Sequence, residues 1–316
     1  MSLTILILSF IFGATIGSFL NVVIFRYNTN LSISKGRSKC FSCGRHLTKR
    51  DLIPVFSYLM YKGRCRTCKS NISVQYPLVE LLTGLMFVLI TYFYFLNGAG
   101  VFIGNNIFDR ADILSALVKL PFIKYLFYIF DLSVLSILIC IFVYDLKHKI
   151  IPDLLVYVGA GIALLKMIIS LIIFKPEMIT VFSGLLSGPL VALPFALFFI
   201  VSGGRWMGFG DAKLALIFGW GLGTAYGFTA VMYSFWIGAI VVLGITLIRE
   251  MLEAFSNADN NAFGKRIKFL HHKKLQYFAN KIPAFKFRSE IPFGPFMIIA
   301  FYMIYFLGKN LLWWVV

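Results

Sequence analysis

Charged side chains are scarce in this 316-residue sequence, and acids are scarcer than bases: Asp, Glu, Lys and Arg make up 14% of it, with 13 acids against 30 Lys and Arg. A soluble domain carries roughly 25% charged residues, so that class is excluded. With 59% hydrophobic residues and a mean hydropathy of +0.85, the chain reads as a polytopic membrane protein. The first apolar run, residues 3–25, lacks both a basic leader region and a small-residue cleavage site, so it reads as a retained signal-anchor helix rather than a removed signal peptide. Cysteine is sparse too. Of five, four lie in one loop, and the fifth, Cys140, sits in an apolar run and reads as core packing.

The few charges are unevenly placed. Residues 26–76 hold eleven Lys and Arg and a single acid, Asp51. In a membrane protein such a bias reports orientation rather than nucleic-acid binding, so this loop is expected in the cytoplasm and the N-terminus outside. About 20 apolar residues cross the roughly 30 Å hydrocarbon core as a helix. On that measure eight spans are expected, at about 3–25, 77–96, 122–144, 154–174, 179–201, 214–226, 228–248 and, following Ile291 to Phe296, 297–316. The sixth is short and glycine-rich, and its Gly223/Gly227 pair suits close helix packing. The loop at 249–290 carries nine Lys and Arg against four acids and falls on the same side as the first. Trp313 and Trp314 suit an interfacial belt.

Acids near or within a membrane are costly unless paired or used, which directs attention to Asp131, Asp145, Asp153 and Asp211. Asp131 and Asp145 are fourteen residues apart on one expected helix, about 21 Å, so they cannot share a site; Asp131 reads as a hydrogen-bonded acid in the outer third of the bilayer. Asp145 and Asp211 fall at the same cytoplasmic edge. Two carboxylates within hydrogen-bond reach share one proton, and such a pair can activate water with one member while the other polarises a carbonyl. In Gly208-Phe209-Gly210-Asp211 the glycines would let the backbone turn tightly and a substrate strand approach closely. Asp211 could instead cap a helix. Asp153, after Pro152, is read chiefly as a helix cap with a direct role as the alternative, and Lys147, Lys149 and Lys213 as cytoplasmic anchors.

Cys40-x-x-Cys43 and Cys65-x-x-Cys68, 21 residues apart, have the spacing of a structural four-thiolate zinc site. The loop has few apolar residues, so the metal would supply much of its folding free energy. His46 is adjacent, but four thiolates already fill a tetrahedral shell.

Together these residues resemble the type IV prepilin peptidases, GxGD membrane aspartyl proteases. The resemblance is carried by Gly17-Ser18-Phe19-Leu20-Asn21-Val22-Val23, the cysteine loop with Ile53-Pro54-Val55-Phe56-Ser57-Tyr58 and Gly63-Arg64-Cys65-Arg66, Tyr76-Pro77-Leu78-Val79-Glu80, Asp145 with Ile151-Pro152-Asp153, Gly208 through Lys213, and Ile291-Pro292-Phe293-Gly294-Pro295-Phe296. It departs from the family in reading Cys-Phe-Ser-Cys without the usual proline, in Lys49-Arg50 before Asp51, and in longer stretches around Asn105 and 256–290.

The resemblance implies an all-α membrane protein of about eight transmembrane helices with a small cytoplasmic zinc-binding loop domain. Residues 1–25 would be the first helix, 26–76 the basic four-cysteine zinc-type domain and 77–316 the protease core. The catalytic pair falls on Asp145 and Asp211, supported by Gly208, Gly210, Lys213 and Asp153. Expected substrates are prepilins and pilin-like proteins of pilus or secretion systems, cut after a basic leader at the cytoplasmic face of the bacterial inner membrane, commonly at a Gly-Phe junction. A second activity, methylation of the new N-terminus with S-adenosylmethionine, is also implied, with Glu80 and Asn21 as candidate contributors. Membrane lipid is an expected partner and nucleic acid is not. The competing readings are a proton- or cation-coupled transporter using the intramembrane acids, and a non-catalytic zinc-bearing assembly factor.

Overall fold

The computed structural model describes residues 2–29, 31–33, 36–96, 121–205, 207–258 and 292–308. The expected outer segment at 97–120, most of the basic loop at 249–290, and Trp313 and Trp314 lie outside the described residues. Among the described residues nine α-helices follow one another: α1 Ser2–Arg26, α2 Phe56–Met60, α3 Gln75–Phe95, α4 Pro121–His148, α5 Asp153–Phe174, α6 Met178–Ser202, α7 Phe209–Leu222, α8 Thr224–Ala258 and α9 Gly294–Leu307. Among the described residues there is no β-strand, only two isolated antiparallel bridges in the cysteine loop.

The fold is therefore an all-helical membrane bundle. Six helices, α1, α3, α4, α5, α6 and α8, are long and apolar enough to cross a bilayer. The sixth and eighth expected spans correspond to α7 and α9, each described over 14 residues, about 21 Å of helix and short of the full apolar thickness. The expected eight are thus six long helices and two shorter ones, in the expected order.

Two boundaries move, and both carry acids. Helix α4 continues four residues past Tyr144, so Asp145 sits inside its last turn beside Lys147 and His148. It ends where Lys149 takes a left-handed conformation (φ 54°) and returns its amide to the Asp145 carbonyl at 2.7 Å, an αL stop. Helix α7 starts five residues earlier than hydropathy suggests. Extended Gly208 is its N-cap and Asp211 lies in its first turn, where an acid suits the helix dipole. Its polar opening looks like loop in a hydropathy scan, although Ala212 and Leu214 are already buried.

The core is built from Phe127, Leu138, Ile141, Phe195, Leu214 and Phe218, all essentially inaccessible. The tightest helix contact is at Gly219, where a Cβ would collide with the Ser187 carbonyl and the Gly188 backbone of α6. The expected Gly223/Gly227 packing pair is divided: Gly223 makes the turn between α7 and α8 with φ 80°, and Gly227 packs on Val191. Hydroxyls inside the bundle donate back to their own helices, as from Thr83 to the Val79 carbonyl (2.7 Å) and Thr91 to the Phe87 carbonyl (2.7 Å), so no water is needed. Ser9 and Thr91 join α1 to α3 at 2.6 Å.

Asp131 is buried on α4, and its carboxylate is shared by four helices. Lys166 of α5 pairs with Oδ1, Tyr94 of α3 donates to Oδ2, and Tyr305 of α9 donates to Oδ2 at 2.9 Å. Both charges are satisfied, as an apolar interior requires. Removing one partner leaves the other buried and alone. Lys166→Met is expected to destabilise the solubilised protein by about 3–5 kcal/mol, and the double variant Asp131→Asn/Lys166→Met by clearly less, measured by thermal unfolding. A double variant as unstable as the sum of the singles would remove the pairing account.

Candidate active site

Four helix ends converge at one end of the bundle: the C-terminus of α4 with Asp145, and the N-termini of α5, α7 and α9. Asp145 is 3% exposed, and its Oδ2 is sealed from solvent with no hydrogen-bond partner among the described residues. The group it faces is Gly294, first residue of α9, whose backbone amide acts on the carboxylate. A Cβ at Gly294 would lie 2.5 Å from Oδ2 and 3.4 Å from Ile151 Cδ1. The same Ile151 reaches α7, where a Cβ at Gly210 would lie 3.1 Å from Ile151 Cβ. Ile151 therefore bridges the two glycine-bearing helix starts that hold the acids together.

Asp211 is 7% exposed and near enough for the charge on Asp145 to act on it directly. Its neighbouring backbone group is Gly208, which leaves the carboxylate unobstructed: the atom nearest a Cβ there is Asp211 Oδ2 at 3.9 Å. Burying two carboxylates near one another makes ionising both at once costly, and a pair that shares one proton has one member able to take a proton and one able to give it.

The other two expected supports pair with each other. Lys213 Nζ is 2.9 Å from Asp153 Oδ1 and lies over the rings of Phe209 (5.1 Å) and Tyr157 (5.4 Å). Asp153 is the first residue of α5 and makes no cap bond; Pro152 occupies the N-cap. The cap expected of Asp153 is thus replaced by an ion pair that joins α5 to α7 beside Ile151. Asp211 likewise is not a cap, because Gly208 holds that position. Sequence reasoning assigns no role to Gly294 or Ile151. The available signal is a glycine before proline at the head of an apolar run, which reads only as a helix start.

The cysteine loop consists of two matching turns. Cys40 N–H donates to Arg45 O at 2.9 Å and Cys65 N–H to Ser70 O at 2.8 Å, while the Gly44 and Lys69 amides return to Cys40 O and Cys65 O. Bridges Lys39 to His46 and Arg64 to Asn71 close them, and Gly44 and Lys69 share positive φ, 70° and 59°. All four sulfurs lie within 4.8 Å of one another, and Cys40 and Cys68 are 3.8 Å apart. Tetrahedral thiolates about 2.3 Å from a metal would sit roughly 3.8 Å apart, so the cluster fits a metal ion. The amides of Cys43 and Ser42 bring the Cys40 thiol down to about 6, which favours the ligating thiolate. Asp51, the loop's one acid, accepts from the Thr48 amide and hydroxyl at 3.0 and 2.8 Å, and this holds its carboxyl below the ordinary range.

Glu80 and Asn21 sit where the loop meets the bundle. Glu80 Oε2 accepts the Val55 N–H at 2.7 Å, and Asn21 donates to Tyr76 O at 3.1 Å. Their observed work is to hold the loop on α1 and α3.

Two family models match the chain: Bacterial Peptidase A24 N-terminal domain over residues 11–94 and Type IV leader peptidase family over residues 132–243. A Myxococcus xanthus prepilin leader peptidase/N-methyltransferase is 53% identical over 78 residues, 25% of this chain and 23% of that protein. The match therefore spans about a quarter of that relative. A protein of the same name from Bacillus subtilis is 30% identical over 232 residues, covering 73% of this chain and 79% of the relative. One from Aeromonas salmonicida is 27% identical over 334 aligned positions, covering 97% and 92%. No solved structure matches the chain.

Within 36–74 only Gly63 and Cys65 are buried, so this loop has almost no apolar core to hold it. Purified protein is expected to carry about one metal ion per chain. Cys65→Ser should lose that ion in elemental analysis and expose 36–74 to protease, whereas an intact loop after complete chelation would show that the metal is dispensable.

Proposed function

Since the chain belongs to the type IV leader peptidase family, we propose that it is an aspartic endopeptidase that removes the basic leader of prepilins and pilin-like proteins, with Asp145 and Asp211 as the catalytic pair. The observation that carries this reading is the meeting of two buried carboxylates from different helices, linked through Gly294, Ile151 and Gly210.

In the proposed reaction the ionised carboxylate takes a proton from water, whose oxygen attacks the scissile carbonyl. The protonated partner hydrogen-bonds that carbonyl oxygen as it gains charge. The partner passes its proton to that oxygen to give a tetrahedral diol; on collapse one diol hydroxyl returns its proton to the pair, the C–N bond breaks, and the departing amine receives a proton from the pair, which ends with one proton between two carboxylates as it began. Gly208 leaves backbone on the α7 side open to an extended substrate.

The pair lies on the side of the cysteine loop. Tyr27, just past α1, packs edge-on against Tyr144 at 5.2 Å, so the Asp145 end of α4 adjoins the point where the basic loop begins. A loop with eleven Lys and Arg suits the cytoplasm, which supports cleavage at the cytoplasmic face of the bacterial inner membrane. Zinc is the metal that four thiolates in this spacing select, in a structural role. Methylation of the new N-terminal amine with S-adenosylmethionine comes from the relatives' names; Glu80 holds the loop amide of Val55 and Asn21 ties α1 to the first turn of α3, and no methyl-donor site is assigned to them. As to transport, Asp131 is committed to Lys166 and two tyrosines rather than open to an ion path.

The test uses a prepilin with a basic leader and a Gly-Phe junction. Wild type should cut it, Asp145→Asn and Asp211→Asn should each lose at least about 10³-fold in rate, and S-adenosylmethionine should add one methyl to the product mass. Wild-type cutting by either folded variant would remove that residue from the pair.

A further inference from the structure

The start of α9 is fixed more firmly than a simple membrane re-entry requires. Phe293 packs on Phe235 of α8 at 4.9 Å and on Phe195 of α6 at 6.2 Å, and those two rings stack at 6.1 Å. Pro295 occupies the first turn and restricts its φ. Phe296 lies against α8, 3.3 Å from where a Gly238 Cβ would be. Two helices, α6 and α8, thus hold one backbone position, Gly294, against the unpartnered, buried Oδ2 of Asp145. Gly294 lies outside both matched family segments.

We infer that Gly294 is the positioning residue for Asp145: the bare first turn of α9 seats the Asp145 carboxylate within reach of Asp211, and a side chain at 294 displaces it. This rests on the catalytic pair proposed above. The electrostatics agree with the geometry. Asp145 sits at the C-terminus of its own helix, the end that repels an anion, and the N-terminus of α9 supplies the opposite field together with a facing amide. The sterics are sharper still. A Cβ 2.5 Å from Oδ2 leaves no room for both groups, and Ile151 blocks retreat toward α7. A misplacement of about 1 Å in a catalytic group costs on the order of 100-fold in rate.

The experiment compares full-length, detergent-solubilised wild type, Gly294→Ala, Phe293→Leu, Asp145→Asn and Asp211→Asn on the same prepilin, recording kcat, KM and thermal unfolding. Gly294→Ala is expected to lower kcat by about 100-fold or more with KM near the wild-type value, because residue 294 acts on Asp145 and not on the leader. Phe293→Leu keeps the glycine but loosens its seat, so a smaller fall in kcat at unchanged KM is expected. A folded Gly294→Ala enzyme with wild-type kcat overturns the inference, as does a change confined to KM. If Gly294→Ala yields no folded protein, Phe293→Leu decides, and an unaltered kcat there overturns it. Wild-type cutting by Asp145→Asn or Asp211→Asn would instead defeat the catalytic pair itself.

Discussion

Burying carboxylates in an apolar bundle is the constraint on which the rest of this structure depends. An isolated ion in such surroundings costs several kcal/mol even after relaxation, so each buried acid must find a cation, a proton or a helix end. Asp145 and Asp211 find helix ends and each other. The bundle brings the N-termini of α5, α7 and α9 to one place and admits them by omitting side chains at Gly210 and Gly294 and inserting Ile151 between them. Asp211 takes the favourable first turn of its own helix, whereas Asp145 stands at the wrong end of its helix and depends on another. The two members of the pair are therefore supported unequally, and α9 is part of the site although it carries no acid.

Asp131 shows the other solution. Both of its oxygens are engaged, by a lysine and two tyrosines. The contrast separates two kinds of buried acid on one helix, 14 residues apart. One is neutralised by a fixed counter-charge and serves assembly. The other is left with an unpartnered oxygen facing a second carboxylate's neighbourhood, the condition that proton-transfer chemistry needs.

Much of this was legible in the sequence, for reasons that can be stated. Long apolar runs have one stable solution in a bilayer, so the order of the apolar helices followed from hydropathy, and their number only approximately. Cysteine spacing reports ligand geometry because a metal demands four donors at nearly fixed distance. Acids at the ends of apolar runs stand out because they are costly there. What escaped were facts of tertiary approach. Lys166 reads as one basic residue in a span, and nothing local says that its partner is 35 positions away. The role of Gly294 depends on what it lacks and on Asp145, 149 positions earlier in the sequence. The start of α7 escaped because hydropathy scores side chains, whereas a glycine N-cap and a first-turn acid are backbone arguments.

The cysteine loop is mechanically continuous with the acids. Val55 carries φ 61°, a conformation that a β-branched residue rarely adopts and that persists only where surroundings over-determine it. Its amide is held by Glu80, a buried acid of α3, so the loop's strained turn and the membrane helix satisfy one another. Phe41, inside the first cysteine turn, packs on Phe25 at the end of α1 (4.5 Å); two residues on, Tyr27 packs on Tyr144, the residue before Asp145. A chain of direct contacts thus runs from the first cysteine turn through the end of α1 to the last turn of α4. Because α4 carries Asp145 within that turn, order in the cysteine loop bears on where that carboxylate is held.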